Sequence, residues 1–344
     1  MPVATPSPMP SYAAPPPHLR SVPPPAQAPP ALAALRAVFL RPHLRDPRLA
    51  ALRDNGTDLA GVLRAHLDTL GSAPAAAERL GIPVNTYRYR LRRLLDGTLD
   101  LSDPDVRLVC GLEVSGDLPD PGTPAAAGER YAAVAFRVDG DAGPGAEDRL
   151  ARVAGLTFEA FRTAASFHVA GPVVYATVAL GGSTDRVLAV ARRAANDAEC
   201  TLRARVLAGV GPAVTGAAAV SGSRDLAEDV LDVVAARGGG VASLDEVRTA
   251  VVLRALGAVA AERPGLFGDG LSRLAAQDAE HGTAYVGTLR AYLDAFGDVA
   301  VAARRVCVHA KTLRYRLRRI AEVAGLDLTD PDARLAAHLE LRLR

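Results

Sequence analysis

The sequence has few cysteines, few aromatic residues and no long apolar run. Its three cysteines, Cys110, Cys200 and Cys307, stand far apart, and there is no Cys-x-x-Cys pair. This spacing disfavours both a disulfide framework and a structural zinc site, and a reducing compartment is the expectation. No apolar run approaches the ~20 residues of a membrane span. We therefore expect a cytoplasmic protein without a membrane partner.

Charge of one sign and catalytic motifs are also scarce. The chain carries 40 basic and 38 acidic residues, a formal net charge of +2, so any basic surface must be local. There is no Gly-x-Ser-x-Gly, His-Glu-x-x-His or Walker loop, and Gly209-x-Gly211 alone is a weak phosphate signal. We expect no enzyme activity, no catalytic residues, no metal and no cofactor.

The stretch 288–321 is the most informative part of the chain. It is predicted to form two helices, a tight break and a strongly basic third helix. Leu313, Leu317 and Ile320 recur at helical spacing and form one apolar stripe, while five cations occupy the other side and the flanks. A helix of this kind is typical of the second helix of a helix-turn-helix, which enters the DNA major groove. A solvated cationic helix would be the plainer interpretation.

A second copy of this stretch argues against a merely solvated cationic helix. Residues 63–95 align with 289–321 at a constant offset of 226 positions, and sixteen of the 33 pairs are identical. After a one-residue gap the repeat resumes, with LDLSDPDVRL at 99–108 and LDLTDPDARL at 326–335. A solvated face has no need to repeat the run Thr-x-Arg-Tyr-Arg-Leu-Arg-Arg.

The segments TLRAYLD at 288–294, TLRYRLRRI at 312–320 and GLDLTDPDARL at 325–335 resemble the helix-turn-helix of the PucR/CdaR-like family of bacterial transcription regulators. The chain departs from the usual family pattern at Lys311 and Asp298, where asparagine is common. The N-terminal copy keeps Asn85 but has Tyr87 where leucine is usual. The resemblance implies sequence-specific binding to double-stranded DNA.

The DNA-binding residues are expected on the two third helices. Asn85 is a candidate for pairing with adenine, or else for capping its helix. His309 is expected to cap the other helix or to touch a phosphate. Arginines on the outer face are assigned to bases or phosphates, and those on the flanks to phosphates. The predicted set is Asn85, Thr86, Arg88, Tyr89, Arg90, Arg92, Arg93, His309, Lys311, Thr312, Arg314, Tyr315, Arg316, Arg318 and Arg319.

Between the two copies, the pattern predicts the order β-α-β-β-α-β-α-β, an α+β layer. Its order and position resemble the GGDEF-like domain of PucR/CdaR-type regulators. The hairpin turn Ala170-Gly171-Pro172 carries no acid, so a metal cage for cyclase chemistry is not expected. Gly181-Gly182-Ser183-Thr184-Asp185 echoes the cyclase motif, but it is expected to open a helix, with Ser183 or Thr184 as the cap.

The predicted fold class is a multidomain α and α+β protein, with two all-α helix-turn-helix modules flanking a degenerate GGDEF-like α+β domain. The predicted ranges are 1–30 for a disordered Pro/Ala-rich tail, 31–113 for the N-terminal module, 114–128 for a linker, 129–248 for the α+β domain, and 249–344 for a linking helix and the C-terminal module.

The predicted function is a transcription regulator, associated with the nucleoid, that reads paired half-sites through both third helices. A homodimer is expected. The half-sites could be read by one chain as a pseudo-dimer, or by the C-terminal modules of the homodimer with the N-terminal pair adding contacts. The middle domain would set the spacing of the modules by dimerising or by sensing a small-molecule effector. Three alternatives stay open: a protein-interaction role for the N-terminal copy, a non-specific architectural DNA binder, and a nucleotide cyclase, against which the acid-free turn argues.

Overall fold

The computed structural model describes residues 30–54, 59–95, 99–115 and 128–344. These residues form two compact units. Of the described residues, the helical unit contains 30–37, 47–54, 59–95, 99–115 and 257–344, and the sheet unit contains 38–46 and 128–256. The predicted tail 1–30 lies outside the described residues except for Pro30, as does most of the predicted linker 114–128.

Within the described residues, the N-terminal part of the helical unit contains six α-helices, and we call α3 to α6 the N-terminal module. Their bounds are α1 Pro30–Arg36, α2 Pro47–Asp54, α3 Leu59–Asp68, α4 Ala73–Leu80, α5 Val84–Leu95 and α6 Pro104–Val114. The pattern of the N-terminal copy predicts helices over 58–70, 73–80 and 84–96, and the helix over 73–80 is confirmed. The predicted ends at Asp58 and Asp96 lie outside the described residues.

The sheet unit follows in the chain with the predicted element order, plus one short extra strand. Its elements are β1 Arg130–Asp139, α7 Ala146–Ala160, β2 Ala165–Ala170, β3 Val173–Ala179, α8 Thr184–Leu202, β4 Arg205–Val210, β5 Val214–Thr215, α9 Val220–Ala236 and β6 Val241–Ser243. The mixed sheet has the order β2-β3-β1-β4-β6, and β5 pairs with β1. Ser183 is the N-cap of α8, as expected, but its side chain does not bond the helix.

The central strand β1 is apolar throughout its middle because both faces of the sheet are covered there. It runs antiparallel to β3 and β4, with Phe136 opposite Val174 on one side and Ala208 on the other. Phe136, Phe158 and Phe167 meet edge to face in the core beneath α7 and α8. The part of the chain that the structure describes is mostly helical and contains one mixed sheet.

The glycines of Gly209-x-Gly211 have a packing role. A Cβ at Gly209 would lie 2.2 Å from the backbone oxygen of Ala227, and one at Gly211 would lie 2.1 Å from that of Ser223. Only glycine lets α9 approach β4 this closely. The buried Ser223 hydroxyl then donates to Pro212 O at 2.7 Å and accepts from Ala133 N at 3.0 Å.

The segment Val38–Asp46 belongs to the sheet unit, although the predicted N-terminal range 31–113 included it. Arg41 lies 3.7 Å from a carboxylate oxygen of Asp229. Arg248 donates to the carbonyl oxygen of His43. The apolar spacing of residues 31–53 predicts packing support for the first helix-turn-helix, but these polar contacts fix Val38–Asp46 on the sheet unit.

The C-terminal part of the chain is helical. The elements are α10 Leu244–Ala261, α11 Gly270–His281, α12 Tyr285–Asp294, α13 Val299–Arg305, α14 Ala310–Ala324 and α15 Pro331–Leu343. We call α12 to α15 the C-terminal module. Its core joins Leu289, Leu313 and Ile320 with Leu274 from α11.

The two modules start their last helices in the same way. Asp103 accepts a hydrogen bond from Asp105 N at 2.8 Å, and Asp330 accepts one from Asp332 N at 3.0 Å. A proline follows each capping aspartate, where its missing N–H costs nothing. The repeated Asp-Pro-Asp therefore sets the start of α6 and α15.

Candidate DNA-binding surface

The two basic helices, α5 and α14, each present one buried face and one exposed face. In α14 the buried residues Leu313, Leu317 and Ile320 are the predicted stripe. In α5 the buried positions are Tyr87 and Leu94. The arginines of both helices point away from these faces because the spacing of 3.6 residues per turn places them opposite or beside the stripe.

Most of the predicted DNA-binding side chains are exposed. Thr86, Arg90 and Arg316 are half-buried on the flank of the stripe. The exposed members are Asn85, Arg88, Tyr89, Arg92 and Arg93 in the N-terminal module and His309, Lys311, Thr312, Arg314, Tyr315, Arg318 and Arg319 in the C-terminal module. The exposed set repeats, with Arg88 matching Arg314 and Arg92 matching Arg318.

Few of these side chains are engaged within the protein. Arg319 forms an ion pair with Glu322, which raises the pKa of its guanidinium. The Nη1 atom of Arg316 lies 3.4 Å from the Thr288 hydroxyl. Among the described residues, none of the other arginines of this set has a carboxylate within 4.0 Å. The other six guanidinium groups and Lys311 thus remain available to an anionic partner.

His309 has one of the two roles expected for it, that of a helix cap. It is the N-cap of α14, where its Nδ1 atom accepts a hydrogen bond from Lys311 N at 3.1 Å. The same position in the N-terminal module is Pro83, which cannot cap through its side chain. Nδ1 is therefore used by the helix, and only Nε2 is left to face a partner.

Asn85 lies inside its helix, which begins at Val84. It is exposed, so its amide is placed on the outer surface at the first turn of α5. Its counterpart Lys311 is the second residue of α14. The first turns of the two basic helices therefore offer different hydrogen-bonding groups from the same place.

Tyr87 replaces Leu313 in the core of the N-terminal module. Its hydroxyl oxygen lies 2.8 Å from Nδ1 of His66, and the side chain is fully buried. Tyr292 occupies the position of His66 in the other module and packs with Leu313. The departure at Tyr87 therefore concerns the core rather than the exposed face.

Two polar side chains hold α12 and α14 at their ends. Asp278 accepts from Tyr285 N at 2.7 Å and from Val286 N at 2.9 Å, which supplies α12 with a cap. Arg273 donates to the carbonyl oxygens of Val323 and Ala324 at 3.0 and 2.6 Å, at the C-terminus of α14. A cation is favourable there because of the helix dipole.

Each module contacts the other through one arginine side chain, a feature that sequence reasoning missed. We call this reciprocal pair, Arg107 and Arg334, the exchanged arginines. Arg107 donates to Asp294 O of the C-terminal module at 2.7 Å, and Arg334 donates to Asp68 O of the N-terminal module. Each guanidinium also holds the loop before its own helix. These bonds run from Arg107 to Leu101 O and Ser102 O, and from Arg334 to Leu328 O and Thr329 O.

The turns between the first two helices of each module also meet. A Cβ at Gly71 would lie 3.0 Å from the Phe296 ring, and one at Gly297 would lie 2.5 Å from the Leu70 side chain. Leu70 and Phe296 both have left-handed backbone conformations, with φ of 51° and 53°. Because Leu70 matches Phe296 in the repeat, and Gly71 matches Gly297, the contact is reciprocal.

Comparison with known families now gives a match at both modules. The family model described as the PucR C-terminal helix-turn-helix domain matches residues 59–114 and again residues 285–343. Both helix-turn-helix modules therefore match the helix-turn-helix domain of PucR-type regulators. Each matched region ends with the helix that carries Arg107 or Arg334.

The curated relatives share only part of their length with this chain. The DNA-binding transcriptional activator AdeR of Bacillus subtilis is 31% identical over 83 residues, which are 24% of this chain and 20% of AdeR. An uncharacterized protein of Mycobacterium tuberculosis is 45% identical over 53 residues, which are 15% of this chain and 13% of the relative. The chain thus spans about a fifth or less of these relatives.

One solved structure is also similar, the Regulator of Polyketide Synthase Expression from Bifidobacterium adolescentis. It is 16% identical, covers 73% of this chain and 96% of its own, and has a TM-score of 0.30. A likeness this slight carries no inference about fold or function. Among the helices of the described residues, none combines the length and apolar character that crossing a membrane requires.

Proposed function

We propose that this protein is a sequence-specific DNA-binding transcription regulator and that both basic helices, α5 and α14, contact the duplex. The observation that carries the proposal is the repeated set of exposed arginines on two helix-turn-helix modules. A single basic helix could be a solvated face. Two copies with the same arginines exposed at matching positions favour a shared polyanionic partner.

The exposed residues divide by chemistry. Arg88 and Arg92, with their counterparts Arg314 and Arg318, lie one helical turn apart on the outer face and are assigned to bases or phosphates. The half-buried Arg90 and Arg316 are assigned to the nearest phosphates, which position the helix without reading sequence. Tyr89 and Tyr315 are 65% and 53% exposed at matching positions of the repeat, so each basic helix also offers an aromatic ring to a partner.

The decisive experiment measures binding of the full chain to duplexes selected from a random-sequence library, over a series of salt concentrations. If Arg88 and Arg314 each neutralise a phosphate, replacing either by alanine should reduce the salt slope of log K by about 0.9. Arg152→Ala is the matched control, because it removes an equal charge from an exposed position of the sheet unit. An equal effect of all three changes would contradict the assignment.

The same library distinguishes the alternatives. A non-specific architectural binder would show no preferred duplex, whereas a regulator should prefer its site by at least ~10³-fold. If the N-terminal copy served only protein interaction, Arg88→Ala and Arg92→Ala would leave DNA affinity unchanged. The cytoplasmic location, the effector and the cyclase-like character of the sheet unit stay as predictions from the sequence. The expected homodimer also stays a prediction, and the contacts between the two modules favour a single chain on the operator instead.

A further inference from the structure

We propose that one chain is a complete reader of an asymmetric operator, with α5 on one half-site, α14 on the other, and different base sequences in the two half-sites. This inference rests on the proposed function. It adds the number of chains on each operator and the kind of duplex that the protein selects.

The first argument is the reciprocity of the contacts between the modules. The N-terminal module gives Arg107 to the carbonyl of Asp294, and the C-terminal module gives Arg334 to the carbonyl of Asp68. Asp68 and Asp294 are themselves counterparts in the repeat. An interface in which i meets j and j meets i is the isologous interface of a two-fold dimer, here built inside one chain.

The second argument is that this surface is already filled. Arg107 and Arg334 are only 8% and 7% exposed, and burial lowers the pKa of both guanidinium groups. The Leu70 side chain packs against Gly297, and the Phe296 ring packs against Gly71. A second chain that used the same surface would first have to remove buried, bonded arginines. Pairing within the chain also benefits from a high effective concentration.

The third argument concerns the DNA. Two-fold-related helix-turn-helix modules read half-sites in inverted orientation. The modules share their arginines, so both half-sites offer the same phosphate contacts. They differ at the second position of the basic helix, where Asn85 can pair bidentately with adenine and Lys311 favours the acceptor atoms of guanine. One half-site should therefore contain adenine where the other contains guanine.

The experiment begins with duplexes selected from a random library by the full chain. From the selected operator, two symmetric duplexes are made by copying either half. We expect one chain on each duplex by native mass spectrometry and sedimentation, and roughly tenfold weaker binding to both symmetric duplexes. Lys311→Asn should shift the preference to the symmetric duplex with two adenine-type halves, and Asn85→Lys to the other one. Both residues are exposed, so these variants should fold.

Two chains on one duplex, equal affinity for all three duplexes, or unchanged preference in both variants would overturn the inference. A selected operator with two identical half-sites would do so as well. Failure to select any preferred duplex is a different result, since it would contradict the proposed function itself. The salt slopes of the arginine variants then separate the loss of binding from the loss of base reading.

Discussion

Nδ1 of His66 lies 2.8 Å from the hydroxyl oxygen of Tyr87, and burial together with the nearby Arg107 lowers the pKa of His66 to about 4. The folded protein therefore binds fewer protons at this group than the unfolded chain between about pH 4 and 6.5. Stability contributed by His66 should be present above pH 6.5 and should be lost as the pH falls towards 4, by on the order of 2 kcal/mol.

This pH dependence can be tested by replacing His66 and Tyr87 with the residues found at the matching positions of the C-terminal module. His66→Tyr combined with Tyr87→Leu installs the pair found at Tyr292 and Leu313, so the core should stay filled. We expect this variant to lose less stability than the original protein between pH 6.5 and 4, measured by urea unfolding at several pH values. A His66 imidazole that titrates near 6.5 by NMR would contradict the expectation.

Glu340 should give the opposite slope. Glu340 is 4% exposed, and burial raises its pKa to about 7. The Arg344 guanidinium partly opposes this rise in pKa. Its Nη2 atom lies 2.5 Å from Glu340 Oε1, although the pair does not have the geometry of a hydrogen bond. The folded protein then binds more protons than the unfolded chain from about pH 4.5 to 7. Stability should fall as the pH rises through that window, by on the order of 2 kcal/mol. Glu340→Gln should remove this dependence, and thermal unfolding at pH 5 and pH 8 checks it.

The contact between the turns can be tested with two glycines of similar backbone conformation. Gly297 has φ of 78° and Gly268 has φ of 75°, but only a Cβ at Gly297 would meet a side chain, that of Leu70. Both changes to alanine should cost about 1 kcal/mol of backbone strain. Gly297→Ala should cost a further 1–2 kcal/mol, about the cost of overpacking. Hydrogen exchange of α12 amides measures the difference, and equal costs would argue against the contact.

The packing of α9 on β4 allows a similar comparison in the sheet unit. Gly211→Ala would place a Cβ 2.1 Å from the backbone oxygen of Ser223 and should destabilise the unit by about 3 kcal/mol. Gly222→Ala adds a Cβ in open space within α9 and should stabilise it by up to about 1 kcal/mol. Hydrogen exchange of α9 reports both effects, and a tolerated Gly211→Ala would refute the packing role.

The helices and most strands could be predicted because their cause is local. Apolar periodicity and turn residues predicted the element order of the sheet unit, and helical spacing predicted the buried stripe Leu313, Leu317 and Ile320 of α14. The two-residue strand β5 was missed, since Val214 and Thr215 are too few to show a period. The division of residues between exposed and buried faces of α5 and α14 also followed from spacing alone.

The contact between the modules could not be predicted in the same way. Its hydrogen bonds end on the backbone carbonyls of Asp68 and Asp294, which have no signature in the side-chain pattern. The repeated Asp-Pro-Asp-x-Arg-Leu did hold Arg107 and Arg334 in register. That signal showed a repeat, but it did not show that each arginine reaches across to the other copy.

The exchanged arginines have a consequence for how such a protein can change over generations. In an assembly of identical subunits, every substitution in a reading helix appears twice. In a chain whose two modules are joined by Arg107 and Arg334, each basic helix is encoded separately, and the exposed residues of either one can change alone. Only the joining surface must be preserved on both sides at once.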